Sequence, residues 1–122
     1  MKRYYITDEN LILKSSYENA PKTLDELFDL FLKAWTIDTC APRLIDKWSI
    51  NNPTAGQCSV TAFVIQDIYG GEVLGIPLGD GHYHCFNYID GVIFDLTCEQ
   101  FNGEHLTYTR NFPQTRDEHL SR

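Results

Sequence analysis

His82-Tyr83-His84-Cys85-Phe86-Asn87-Tyr88-Ile89-Asp90-Gly91-Val92-Ile93-Phe94-Asp95-Leu96-Thr97 is the stretch on which the fold turns. Two runs rich in aromatic and branched residues flank Asp90-Gly91, a dipeptide suited to a two-residue hairpin turn. With Ile89 paired to Val92, Phe86 faces Asp95 and His84 faces Thr97. Side chains alternate along a strand. His82, His84, Phe86 and Tyr88 therefore share one face with Ile93, Asp95 and Thr97. His84 and Asp95 are diagonal neighbours on that face, at roughly 7–8 Å between Cα positions and within side-chain reach. A slip of one residue in the register would separate them. His82 lies four residues from Asp95 in the pairing frame, about 13 Å at ~3.4 Å per residue, too far for a direct bond. Tyr83, Cys85, Asn87, Ile89, Val92, Phe94, Leu96 and Cys98 form the other, mostly apolar face, on which Cys85 and Cys98 read as core filler.

Upstream of the hairpin, Glu72–Leu78 reads as a further strand, and Gly75 and Pro77 mark it as an edge. Gly70-Gly71 ends a helix that begins at Gln57-Cys58. The apolar residues Val60, Phe63, Val64 and Ile68, widened by Ala62 and Ile65, imply a central helix covered on most sides. Thr23-Leu24-Asp25-Glu26 reads as a capping box. The helix it opens carries Leu24, Leu27, Phe28, Phe31 and Trp35 at helical spacing. Between the helices, Thr36–Ala55 is a connection in which Arg43–Trp48 has the makings of a short helix. Tyr4–Ile6 and Leu11–Leu13 suggest a small hairpin or a loose lead-in. The tail from Cys98 onward is polar with little periodicity, and only Phe101, Leu106, Tyr108 and Phe112 look fit to pack back on the body. The expected class is α+β, one domain over residues 1–122.

Composition narrows the function. The 17 Asp and Glu against 10 Lys and Arg give a net charge of −7. That balance repels phosphate backbones, so neither nucleic acid nor an anionic membrane is an expected partner. No apolar run approaches the ~20 residues of a membrane helix. Met1-Lys2-Arg3-Tyr4-Tyr5 has no apolar run behind it, so no signal peptide is expected. The cysteines at 40, 58, 85 and 98 then read as reduced thiols in the cytoplasm.

Cys58 stands at the first turn of its helix, after Gly56-Gln57. Unpaired N–H groups and the partial positive charge of a helix start favour thiolate. On position alone, core filler is the commoner fate of a free cysteine. The hairpin changes the balance, because His84 and Asp95 supply a base and its orienter. Asp95 also sits inside the apolar run Val92–Leu96, where a carboxylate without a partner is costly. The Cys58 N–H, with Asn52 or Gln57, is a candidate oxyanion donor. Three function classes follow. One is a cysteine nucleophile acting on an amide or ester through Cys58, His84 and Asp95, with no cofactor and an acyl substrate as partner. The second is a metal site of His82, His84 and Asp95. The third is a non-catalytic interaction domain.

Gly56-Gln57-Cys58-Ser59-Val60-Thr61-Ala62 resembles the nucleophile segment of transglutaminase-like cysteine enzymes. The order of cysteine, strand histidine and next-strand aspartate is similar too. A wider set is similar to the small bacterial YunG-like family: Trp48, Asn52-Pro53, Gly56-Gln57-Cys58, Val64-Ile65-Gln66-Asp67, Gly70-Gly71-Glu72, His84-Cys85-Phe86-Asn87 and Asp95-Leu96-Thr97-Cys98-Glu99-Gln100-Phe101. These motifs run from about Trp35 to Phe101. The resemblance implies a papain/transglutaminase-like core, with a cysteine-bearing helix packed on an antiparallel sheet. It names no substrate. The His84–Asp95 interval is shorter than in typical transglutaminases. The family usually continues into a helix after the Gln-Phe motif, where this tail differs.

Overall fold

A computed structural model describes residues 4–41, 45–46, 48, 56–79, 81–98 and 106–120. Their elements run β1 (Tyr5–Ile6), α1 (Leu24–Ala34), a 3-10 turn (Ile37–Thr39), α2 (Cys58–Tyr69), β2 (Glu72–Pro77), β3 (Tyr83–Ile89), β4 (Val92–Asp95) and α3 (Arg116–Leu120). The architecture is a small α+β one, an antiparallel four-stranded sheet in the order β1-β4-β3-β2 with helices packed on it. The Arg43–Trp48 helix expected from sequence falls largely outside the described residues.

The hairpin has the register read from its turn: Ile89 pairs with Val92, Tyr88 with Ile93 and Asn87 with Phe94. Asp90 and Gly91 both take positive φ, 51° and 81°, as a mirror-image turn requires. β2 lies at the sheet edge, as its Gly and Pro imply, and is partly covered by an isolated bridge from Leu74 to Pro113. β1 differs from expectation. Instead of folding back on Leu11–Leu13, it crosses the whole chain to pair Tyr5 with Asp95 and Ile6 with Phe94. Two residues cannot nucleate a local hairpin of their own, whereas the outer edge of β4 offers them a ready ladder.

One sheet face carries the core. Ile89, Phe94 and Leu96 pack with Leu24, Leu27, Phe28 and Trp35 of the α1 region, with Ile65 of α2, and with Tyr4 and Leu13. Thr23 caps α1, accepting the Glu26 N–H at 3.3 Å, and Glu26 reaches back to the Thr23 hydroxyl at 3.1 Å. The Trp35 indole donates to Thr61 Oγ1 at 2.8 Å, which ties the two helices together inside the core. Asn87 Nδ2 donates to the Ala62 carbonyl at 3.0 Å, pinning β3 to α2. The opposite face is covered by the C-terminal segment. Tyr108 meets Phe86 edge-on at 5.1 Å and stacks on Tyr5 at 4.1 Å, and the Arg110 guanidinium lies 4.4 Å over Tyr88.

α2 is less covered than its apolar composition implies. Cys58, Thr61, Ala62, Phe63 and Ile65 are buried, but Val60 and Val64 remain 41% and 36% exposed. These two valines line a cavity of about 300 Å³ rather than a helix partner. The turn from α2 into β2 depends on Gly71, which has φ +79°; a Cβ there would stand 2.6 Å from both the Tyr88 carbonyl oxygen and Ile89 Cγ1. Gly71→Ala is therefore expected to lower stability by about 1–3 kcal/mol. The urea midpoint of the variant should fall accordingly, while an unchanged midpoint contradicts this packing.

Candidate active site

Cys58 is the first residue of α2, and it is buried at the point where β3 and β4 part. In a two-residue hairpin the N–H groups of Ile89, Asn87 and Cys85 all point toward β4. The ladder stops at Asn87 and Phe94, and beyond Asp95 the chain turns away through Leu96 and Thr97. Cys85 lies beside Cys58, and both its thiol and its N–H favour the Cys58 thiolate. His84 and Cys85, on alternate faces of β3, both favour the charged form of Cys58.

Asp95 organises the histidine. His84 Nε2 stands 2.6 Å from Asp95 Oδ2, and both residues are essentially inaccessible. Tyr108 donates its hydroxyl to the same oxygen at 2.8 Å. Thr97 donates its N–H at 3.0 Å and its hydroxyl at 3.2 Å to Oδ1. A carboxylate with every lone pair so engaged is fixed in place, and as an acceptor it puts the proton on His84 Nε2. Nδ1 is then the ring nitrogen that serves Cys58.

The electrostatics match. Burial opposes a charged His84, but the charge and hydrogen bond of Asp95, followed by those of Cys58, push it up to about 10. The Cys58 thiol lies well below its ordinary value. The Cys85 thiol contributes most to this, burial works against it, and the hydrogen bond and charge of His84 and the Cys85 N–H complete it. At neutral pH these directions describe a thiolate–imidazolium pair. Burial first, then the Asp95 charge and hydrogen bond, hold Tyr108 well above the usual phenol range, so it remains a donor. Cys40 behaves as an ordinary buried cysteine, with burial raising its thiol. All four cysteines are free thiols.

The other sequence candidates fare differently. Asn52 lies outside the described residues. Gln57 is fully buried, donating to the Thr36 carbonyl at 3.1 Å and accepting from the Thr39 hydroxyl at 2.8 Å. It anchors the 36–39 loop beneath the helix start and does not cap α2, so its amide is not placed to meet an oxyanion. His82 does not join a ligand set with His84 and Asp95; among the described residues no group of three His, Cys, Asp or Glu side chains is placed to hold a metal ion. His84 and Asp95 are instead closed on each other and on Tyr108 and Thr97.

Four neighbours were not placed at the site by the sequence. Tyr108 belongs to a tail without periodicity. Cys85, read as filler, does face the core but ends beside Cys58. Gln114 and His119 sit in the same polar tail, where α3 forms although no regular structure was expected. The family's helix after Gln-Phe was the only sign of it.

No helix among the described residues is long and apolar enough to cross a membrane. No solved structure matches the chain. "Uncharacterized protein YunG" of Bacillus subtilis (strain 168) is 42% identical over 72 residues, which cover 59% of this chain and 60% of that relative. The match therefore spans less than two thirds of the relative's length. Residues 23–122 match the YunG protein family, a span that holds every helix among the described residues, three of their four strands and Cys58, His84 and Asp95, and the chain belongs to that family.

Proposed function

We propose that this protein is a cysteine-nucleophile enzyme acting on an amide or ester bond, with a papain/transglutaminase-like core. The observation that carries the reading is the 2.6 Å His84–Asp95 pair, closed from solvent and set against a cysteine at a helix start. The Cys58 thiolate attacks the carbonyl carbon, and the first-turn N–H of α2 receives the developing oxyanion. The C–S bond forms as the C–N or C–O bond breaks, and the leaving group takes its proton from His84. Water, or an acceptor amine, then attacks the thioester. His84 accepts its proton, and the Cys58 thiolate is regenerated. Asp95 keeps the ring oriented and supports its charge throughout. Reduced thiols suit a reducing compartment, the cytoplasm being the natural one. The acyl partner is a peptide, a protein side chain or a small amide or ester.

Labelling with a panel of acyl electrophiles, mapped by peptide, tests this. Cys58 is expected to be modified first, with turnover of at least one member of the panel. Faster modification of Cys40 or Cys85 at neutral pH removes the nucleophile assignment. A Cys58 that titrates like an ordinary thiol, near pH ~8.5, points instead to an interaction domain without chemistry.

A further inference from the structure

The Cys58 site does not end at His84 and Asp95. On its other side stands a second polar cluster built from α2, β3 and the C-terminal segment. Ser59 Oγ lies 4.0 Å from Cys58 Sγ and 3.8 Å from Cys85 Sγ. It also lies 3.0 Å from His119 Nδ1. His119 Nε2 stands 3.6 Å from Cys85 Sγ and 2.9 Å from Gln114 Oε1.

The tautomer of His119 follows from Gln114. Gln114 Nε2 donates to the carbonyls of Phe112 at 3.1 Å and Pro113 at 3.3 Å, which leaves Oε1 facing the imidazole. An acceptor at that position puts the proton on His119 Nε2. Nδ1 then accepts the Ser59 hydroxyl, and Nε2–H is presented to Gln114 and to the Cys85 sulfur. Cys85, met by a donor on this side, also has Ser59 Oγ within reach and packs in one buried cluster with Cys58. The cluster is rigidly docked. The Gly75 N–H donates to Phe112 O at 2.8 Å and the Gln114 N–H to Val73 O at 2.9 Å. A Cβ on Gly75 would stand 2.9 Å from Gln114 Nε2, so the glycine makes room for the amide. Ser59 and His119 also line the 300 Å³ cavity with Gly56, two residues before Cys58, so the cavity borders the start of α2.

We propose that His119, oriented by Gln114, is a positioning residue of the Cys58 site, acting through Ser59 and Cys85, the two side chains it holds beside the Cys58 sulfur. The inference rests on Cys58 being the nucleophile. It adds a second arm to the site, independent of His84 and Asp95 and supplied by the tail. The groups bearing on Cys58 are then His84 and Cys85 from β3, Ser59 from α2 and His119 from α3. Asp95 and Tyr108 stand behind His84. The Arg116 guanidinium is engaged by Asp67 and the Phe63 carbonyl.

The test is the pH profile of Cys58 alkylation by iodoacetamide in the full chain, mapped by peptide, with folding followed by circular dichroism. His119→Leu removes the Nε2–H donor, and the Cys58 midpoint should rise by about half to one pH unit, slowing reaction about three- to tenfold on the acid limb of the profile, below the wild-type midpoint. His119→Gln restores an N–H near the position of Nε2 and should bring the rate back to within about twofold. Cys85→Ala should shift the profile at least as far as His119→Leu. If His119→Leu does not fold, Gln114→Leu should show a smaller shift in the same direction. The proposal is overturned if the His119→Leu profile superimposes on that of the wild type, or if only its melting temperature changes. It is equally overturned if His119→Gln is shifted as far as His119→Leu. An ordinary thiol midpoint in the wild type overturns the nucleophile reading itself, and that result is distinct from all of these.

Discussion

Asp95→Ala is expected to lower the unfolding free energy by about 3–5 kcal/mol, the usual cost of removing one partner from a buried charge pair. The substitution strips His84 of its counter-charge where neither residue meets solvent. It also leaves the Tyr108 hydroxyl and both Thr97 donors without their acceptor. Four donors lose one shared partner, and each must find water or remain unsatisfied. Asp95→Asn should be milder for stability, because an amide oxygen still serves part of the set. It should nevertheless lower activity, since a neutral amide does not stabilise the imidazolium. Urea denaturation of both variants gives the comparison. A loss under about 1 kcal/mol for Asp95→Ala contradicts the buried pair.

The second large effect concerns reactivity. In the wild type the Cys58 thiolate persists well below the ordinary thiol range, so its alkylation rate should be nearly level from pH 6 to 9. Cys40, raised by burial, should slow steeply over the same span. His84→Ala removes the charge that stands beside the sulfur. Burial of Cys58 then acts with less opposition, and its midpoint returns toward ~8.5, where at pH 6.5 about one thiol in a hundred is ionised. The Cys85 donors remain, so the expected loss at pH 6.5 is between about 10-fold and about 100-fold. The sign is fixed by the direction of each shift. A raised His84 is charged throughout the neutral range and loses its proton only near 10. The wild-type profile should therefore show no histidine-like inflection near 6.5. An inflection there, or an unchanged rate in His84→Ala, contradicts the ion pair.

The parts of this fold that were legible in sequence are those governed by local chemistry. Asp90-Gly91 dictates the turn, the turn dictates the register, and the register brings His84 to Asp95. Thr23 and Glu26 mark α1, and the change from a turn cluster to a helical period marks Cys58. What was not legible depends on distance along the chain. Tyr5 and Ile6 carry no sign that their partners are Asp95 and Phe94. Strand alternation assigns Cys85 to the core face but is silent on where the first turn of α2 comes down. Val60 and Val64 look like core because they are apolar, yet the space beside them is a cavity. The tail has no period because its contacts are single side chains: Tyr108 on Asp95, Gln114 beside Gly75, His119 on Ser59. Each is a matter of docking, which composition does not encode.

β1 stands outside residues 23–122, the span shared with the family. Its two residues close the outer edge of β4, the short apolar strand that ends in Asp95. An uncovered strand of that kind is a template for another chain. In a protein reduced to the family span, the edge holding the carboxylate of the site would be the surface most open to self-recognition. The N-terminal strand thus covers the outer ladder of the strand that carries Asp95, and with it the backbone on which the proposed chemistry depends.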